Sequence, residues 1–347
     1  MFPEKLQPGD EIRVIAPSRS LSLLNSDKIE KARTVLNNLG FRISFSVHAN
    51  EIDECSSSSI ESRVSDLHEA FSDQRVKGIL TVLGGYNSNQ LLSHLNYELI
   101  KANPKVFCGF SDITALSAAI YAKTGLVTYS GPHFSSFSMG YGLNYMTDYF
   151  LKCCCASGVY DVEPSSMWCE EIETEECPKQ NSGPVVINEG SADGKIIGGN
   201  LCTLNLLQGT EYFPDIKNAV LFLEDDWESP AAFFDRDLQS LLHLPDFSSV
   251  KAVLIGRFQT ASAVTLERLK QIVQTKKELS RIPVIANIDF GHTTPFFTFP
   301  IGGRCQIDAQ KEHVSLCITL YHKTLRQRMN AHPLPFYLAR PQGENNR

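Results

Sequence analysis

Short apolar runs alternate with helix-forming segments through the first half of the chain, and this alternation is the strongest constraint on the fold. Runs such as Glu11–Pro17 and Val76–Leu83 predict strands, whereas Asp27–Leu39 and Ile60–Phe71 have the spacing of amphipathic helices. Strands that alternate with helices form right-handed βαβ units, which build a parallel sheet. The sequence therefore predicts an α/β fold that begins with a parallel-sheet domain.

The second half has strands and helices of its own, and an acidic segment precedes it. Residues 161–176 contain seven acidic side chains and no Lys or Arg, which predicts an exposed loop between domains. A helix is also predicted to begin near Asn89 in the first half. The predicted divisions are an N-terminal α/β domain (1–160), an acidic interdomain loop (161–183), a C-terminal domain (184–321) and a polar tail (322–347).

Composition excludes several classes of function. The chain has 347 residues and a net charge of −7, which argues against a nucleic-acid partner. It has no apolar run long enough for a membrane span and no signal-peptide core, so we expect a cytoplasmic protein with no membrane partner. Ten cysteines are present without a C-x-x-C pair, so we expect reduced structural thiols, no metal and no cofactor.

The segment Val106–Tyr121 has the layout of a nucleophile elbow. A buried strand is followed by the turn Gly109-Phe-Ser-Asp and then by an apolar helix, which would lift the Ser111 hydroxyl above the sheet. The pattern G-x-S-x-G is not met, because Ile113 occupies the place of the second Gly. The alternative is that Ser111 or Asp112 only caps the helix.

A serine nucleophile needs a base and an orienting carboxylate. His292 follows a predicted strand and Gly291, the kind of place where α/β folds put site residues, and His133 is a second candidate. Glu224 ends an apolar strand, a place where a carboxylate with no role other than contact with solvent is least expected. The loop beyond Glu224 carries further acids that are more naturally solvated: Asp225, Asp226 and Glu228.

Five motifs, in order along the chain, resemble the LD-carboxypeptidase family of serine peptidases. They are Val82-Leu-Gly-Gly-Tyr-Asn-Ser-Asn-Gln-Leu-Leu, Cys108-Gly-Phe-Ser-Asp-Ile-Thr-Ala-Leu, Ile197-Gly-Gly-Asn, Leu221-Phe-Leu-Glu-Asp and Gly291-His-Thr-Thr-Pro. The resemblance implies a Ser-His-Glu triad of Ser111, His292 and Glu224, with an oxyanion hole of the Gly85 and Asp112 backbone N–H groups. It also implies a Rossmann-like N-terminal domain, a β-rich α/β C-terminal domain, an active site in the cleft between them, and a homodimer.

The motifs resemble two branches of that family. Asn87 after the glycine pair resembles the microcin C self-immunity peptidases, whose interdomain tryptophan, at Trp168 here, is implied to stack on adenine. That branch predicts a small peptide or aminoacyl-nucleotide substrate, and the alternative for Trp168 is that it only packs the loop. Glu228-Ser-Pro instead resembles the muropeptide LD-carboxypeptidases of cell-wall recycling. Three further residues are possible polar substrate contacts, or else a helix cap and a surface ion pair: Asn200, Asp235 and Arg236.

Two further classes of protein are alternatives. A non-catalytic two-domain protein could bind a small molecule in the same cleft. A dinucleotide oxidoreductase is disfavoured, because the glycines at 84 and 85 lack the G-x-G-x-x-G spacing and no Gly-rich turn follows the first strand.

Overall fold

The computed structural model describes residues 1–170, 178–311 and 313–320. The predicted tail and part of the acidic segment lie outside the described residues. The strands are β1 (Glu11–Ile15), β2 (Arg42–Phe45), β3 (Val76–Thr81), β4 (Val106–Cys108), β5 (Thr128–Ser130), β6 (Val159–Asp161), β7 (Met167–Trp168), β8 (Lys179–Gln180), β9 (Val185–Asn188), β10 (Gly190–Asn200), β11 (Ala219–Glu224), β12 (Ala252–Gly256), β13 (Val284–Ile288), β14 (Phe299–Ile301), β15 (Arg304–Gln310) and β16 (His313–Thr319).

The α-helices lie between these strands in the order expected for an α/β protein. They are α1 (Ser26–Asn38), α2 (Ile60–Ser72), α3 (Tyr97–Ala102), α4 (Thr114–Thr124), α5 (Leu143–Cys154), α6 (Leu201–Asn205), α7 (Ala231–Leu242) and α8 (Leu266–Gln274). None of the helices in the described ranges is long and apolar enough to cross a membrane.

The first sheet has the strand order β14-β5-β4-β3-β1-β2. Strands β1 to β5 pair in parallel, and only β14 runs antiparallel, beside β5. The order of the sheet reverses between β1 and β3, so the crevice beyond their carboxyl ends is where α/β sheets of this type bind ligands. The loops after β1, β3 and β4 all open at this edge.

The second sheet has the order β6-β16-β15-β10-β11-β12-β13-β9. Its central strands, β10 to β13, are parallel, and antiparallel strands flank them on both sides. Every residue of β11 and of β12 is buried, as expected for strands covered on both faces. Glu224 is the last residue of β11, and His292 follows β13 by four positions.

The helix α4 joins the two halves of the molecule. It is apolar on nearly all sides, and residues 114–120 are buried because the helix packs against β5, β10, β14 and α6. At its start, the Asn200 backbone N–H donates to Thr114 Oγ1 over 3.0 Å. A Cβ at Gly199 would lie 2.5 Å from the same Thr114 oxygen, so this close approach requires glycine.

The predicted α/β fold class, with a parallel first sheet and a β-rich second half, is confirmed. The helix predicted to begin near Asn89 is a 3₁₀ helix, Ser88–His94, and the short α3 follows it. One local expectation is corrected. Part of the predicted acidic loop is regular, because β7 pairs with β8 in an antiparallel hairpin. The predicted domain boundaries remain a prediction, and each sheet includes one strand from the other half of the sequence, β14 in the first and β6 in the second.

Candidate active site

Ser111 lies at a sharp turn directly after β4. Its φ is +60°, in the left-handed region that non-glycine residues adopt only at a cost. A 3₁₀ turn over Ser111–Ile113 follows and leads into α4, so the layout is strand, strained turn and helix. Ile113, in place of a second glycine, is fully buried. The elbow geometry therefore forms without the full G-x-S-x-G pattern.

The side chains of Ser111, His292 and Glu224 form one chain of hydrogen bonds. His292 Nε2 lies 3.0 Å from Ser111 Oγ, and His292 Nδ1 lies 2.6 Å from Glu224 Oε2. The residues come from the ends of β4, β13 and β11. Serine, imidazole and carboxylate in this order can perform nucleophilic acyl transfer.

Gly291 makes the contact between Glu224 and His292 possible. Its φ is +102°, and a Cβ there would lie 2.8 Å from Glu224 Oε2. Only glycine combines this backbone conformation with so close an approach of the carboxylate.

The charges around His292 favour its protonated form. Burial lowers the pKa of His292, but the charge and hydrogen bond of Glu224 outweigh burial and raise this pKa to about 9. Asp226 adds to the effect, with its Oδ2 at 4.0 Å from Nε2. Burial, followed by the neighbouring charge of Glu224, raises the pKa of Asp225 to about 7.

Neither Ser111 nor Asp112 makes a side-chain cap bond, so the alternative that these residues only cap the helix is not supported. The Asp112 carboxylate instead accepts from Ser18 Oγ at 2.6 Å and from the Ser88 backbone N–H at 2.9 Å. Asp112 thereby ties the nucleophile turn to the loops after β1 and β3. The Gly85 N–H, in the second of these loops, makes no backbone hydrogen bond to another described residue.

The two glycines after β3 border a cleft of about 940 Å³ that also contains Ser111 and His292. Its lining includes residues not singled out in the sequence as substrate contacts: Arg19, Lys28, Lys31, Tyr86, Tyr141 and Trp227. Tyr86 and Trp227 are more than half exposed. An exposed aromatic in a loop leaves no periodic signal, so the sequence pattern could not distinguish them from surface residues.

His133, the second candidate base, is buried at the cleft wall. Its Nδ1 lies 2.7 Å from Thr81 Oγ1, and its ring packs on Phe110 with centroids 4.4 Å apart. Burial, with the nearby charges of His292 and Arg19, lowers the pKa of His133 to about 3. Among the described residues its ring forms no hydrogen bond with Ser111, so His292 is the base that the geometry favours.

The predicted substrate contacts are not among the residues that line the cleft. Asn200 caps α6 through Thr203 and donates to Asp225, and Asn87 Oδ1 lies 3.5 Å from Ser18 Oγ. The Trp168 ring lies 4.9 Å from the Arg257 guanidinium and 4.9 Å from Lys179 Nζ.

Asp235 and Arg236, the other possible contacts, do not line the cleft either. Asp235 pairs with Lys276, and Arg236 lies over the ring of Phe233. Among the described residues, no group of three or more His, Cys, Asp or Glu could hold a metal ion, and no disulfide joins the nine described cysteines.

Two family models match the chain. Residues 12–131 match the LD-carboxypeptidase N-terminal domain, and residues 193–307 match the LD-carboxypeptidase C-terminal domain.

Three curated relatives cover most of the chain. "Putative carboxypeptidase YocD" of Bacillus subtilis is 58% identical over 89% of this chain and 96% of its own. "Microcin C7 self-immunity protein MccF" of Escherichia coli is 31% identical over 90% and 94%. "Probable murein peptide carboxypeptidase" of Bacillus subtilis is 29% identical over 89% and 92%.

Solved structures agree with these matches. The crystal structure of an MccF-like protein from Bacillus anthracis superposes with a TM-score of 0.91 at 53% identity, covering 92% of this chain and 100% of that one. MccF in complex with aspartyl sulfamoyl adenosine superposes with a TM-score of 0.84 at 28% identity, covering 93% and 100%.

Proposed function

The chain belongs to the LD-carboxypeptidase family, and from that premise we propose that it is a serine amide hydrolase with Ser111, His292 and Glu224 as its triad. The observation that carries the proposal is the continuous hydrogen-bond chain from Ser111 Oγ through His292 to Glu224. A non-catalytic binding protein, the alternative, would not need these three side chains in contact at a strained turn.

The mechanism follows from the positions of these groups. Neutral His292 accepts the Ser111 proton while Ser111 Oγ attacks the amide carbonyl carbon, and Glu224 stabilises the imidazolium that forms. The Gly85 and Asp112 N–H groups would donate to the oxyanion of the tetrahedral intermediate. His292 then gives its proton to the leaving nitrogen, and water hydrolyses the acyl-enzyme with His292 again as base.

For the substrate, we propose an aminoacyl-nucleotide or peptidyl-nucleotide amide. Support comes from the relatives, since MccF has been solved with aspartyl sulfamoyl adenosine. Trp168 would stack on the purine if the β7–β8 hairpin moved toward the cleft. Asn87, in the loop after β3, and Asn200, at the junction of β10 and α6, would act beside it.

The second candidate is a muropeptide L,D-carboxypeptidase, and Glu228 favours it. Its carboxylate is in the cleft and accepts from the Tyr86 hydroxyl at 2.7 Å. A carboxylate at this wall suits the ammonium group of a peptide better than an anionic phosphoryl group.

Substrate profiling of the purified protein tests both candidates. It compares an L,D-linked muropeptide tetrapeptide with an aminoacyl-sulfamoyl or phosphoramidate adenosine, and Ser111→Ala serves as the inactive control. Turnover of the adenosine conjugate alone supports the first proposal, and turnover of the tetrapeptide alone supports the second. Turnover of neither would favour the binding protein. The homodimer stays a prediction, to be checked by light scattering on the purified protein.

A further inference from the structure

Arg19 lies in the loop after β1, where the order of the first sheet reverses. It lines the same cleft as Ser111 and His292. Its Nε donates to the Gly84 carbonyl oxygen over 3.1 Å, and its guanidinium lies 5.9 Å from the centre of the Tyr86 ring. Tyr86 is held in turn by its hydroxyl, which donates to Glu228 across the cleft.

These contacts use only part of the hydrogen-bonding capacity of Arg19. A guanidinium carries five N–H donors, and the terminal nitrogens of Arg19 form no hydrogen bond or ion pair with any residue in the described ranges. The Nε bond and the Tyr86 ring fix the plane of the guanidinium. A planar, fixed pair of terminal nitrogens matches the two oxygens of a carboxylate or phosphoryl group.

Gly84 separates this guanidinium from the nucleophile. Its carbonyl oxygen accepts from Arg19, and the position that a Cβ of Gly84 would take is 3.1 Å from Ser111 Oγ. Through Gly84, the Arg19 guanidinium and the Ser111 hydroxyl therefore line the same part of the cleft.

Both candidate substrates carry an anionic centre within three bonds of the scissile carbonyl carbon. In a peptide with a free carboxyl end, the carboxylate carbon is three bonds from the scissile carbonyl carbon, on the leaving-group side. In an aminoacyl phosphoramidate the phosphorus is two bonds away on the same side. The shared chemistry is an oxyanion on the leaving group.

We propose that Arg19 binds this oxyanion and makes the cleft specific for anionic leaving groups. The inference rests on the proposed function for the identity of the leaving group. Lys28 and Lys31 line the same cleft and add positive charge, but an ammonium lacks the planar pair of donors. Lys31 is therefore a matched control for general electrostatic attraction.

Binding to the Ser111→Ala variant tests the inference without turnover. Isothermal titration compares two matched pairs of probes, AMP with adenosine and the dipeptide L-Lys-D-Ala with its carboxamide. Adding Arg19→Gln should weaken the anionic member of at least one pair tenfold to a hundredfold and leave its neutral partner within about twofold. Arg19→Lys should recover part of the loss, and Lys31→Gln should cost less than about threefold.

The pair that responds identifies the source of the oxyanion, phosphoryl or carboxylate. Equal loss for charged and neutral probes, no preference for the anionic probes with Arg19 intact, or an equal effect of Lys31→Gln would each overturn the inference. The readout is binding, so it is independent of turnover. If the parent protein hydrolysed neither candidate substrate but still preferred anionic probes through Arg19, the proposed hydrolase would be refuted and this inference would stand. Thermal unfolding of each variant checks that the fold is retained.

Discussion

Replacing Glu224 with Gln separates the role of its charge from that of its shape. The Glu224 carboxylate accepts from His292 Nδ1 at 2.6 Å, a short charge-assisted hydrogen bond. A Gln amide of the same size can donate to Nδ1 instead, which would place the proton on Nε2 and block its acceptance of the Ser111 proton. Loss of the orienting charge in a serine triad costs roughly 10⁴-fold in kcat, and we expect a loss of that size.

The same change should move the pH profile in a defined direction. Because Glu224 outweighs burial and raises the pKa of His292 to about 9, the free enzyme holds the imidazolium at neutral pH, and kcat/KM should rise with pH up to about 9. Without the Glu224 charge, burial dominates and the pKa of His292 falls. The acid limb of the residual activity should therefore move to lower pH.

The assay is kcat/KM from pH 5 to 10 on the substrate that profiling identifies. Asp226→Asn is the matched control, because Asp226 Oδ2 is 4.0 Å from His292 Nε2 and bonds neither ring nitrogen. We expect it to change kcat less than about tenfold. A Glu224→Gln variant with near-parent activity, or a larger loss in Asp226→Asn, would refute this assignment of the carboxylate.

Three further changes test the site. Ser111→Ala and Ser111→Gly should both abolish turnover. The glycine variant should be the more stable of the two by about 1 kcal/mol in denaturant unfolding, since φ at this position is +60°. Equal stabilities would show that the turn holds no strain. Gly291→Ala should lower kcat by at least a hundredfold, because the added Cβ would meet Glu224. Its control is Gly9→Ala, which should leave kcat unchanged, because Gly9 also has a positive φ (+90°) but has no atom within 4 Å of the Cβ position. Similar activities of the two variants would contradict the packing argument. Trp168→Ala should weaken adenosine-containing substrates tenfold to a hundredfold and barely affect peptides; equal losses would show that the ring only packs the hairpin on Arg257.

The strands, and the three hydrogen-bonded side chains of Ser111, His292 and Glu224, could be predicted from the sequence for one physical reason. Each side chain ends or follows a buried apolar strand, and the carboxyl ends of parallel strands meet at one edge of a sheet. Arg19 left no such signal. Its contact with Gly84 is set by the pairing of β1 with β3, which joins residues far apart in the sequence.

Other local details could not be predicted, for equally local reasons. The Asp112 carboxylate could have capped the helix, but it contacts Ser18 and Ser88 instead. The helix predicted near Asn89 is a 3₁₀ helix, a tighter form that residue preferences alone do not distinguish. The hairpin of β7 and β8 has only two residues a strand, too few for an alternating pattern to be visible.

The exchange of single strands between the two sheets has a consequence for how the protein can be made and divided. Strand β14 covers the β5 edge of the first sheet, although it is encoded near residue 300. On the ribosome, that edge cannot close until residues near 300 have been synthesised. A fragment ending at residue 160 would leave β5 uncovered, and an unpaired edge invites association with other chains. Each half of the sequence thus supplies one strand to the sheet of the other half. Separating the two halves would remove a strand from both sheets at once.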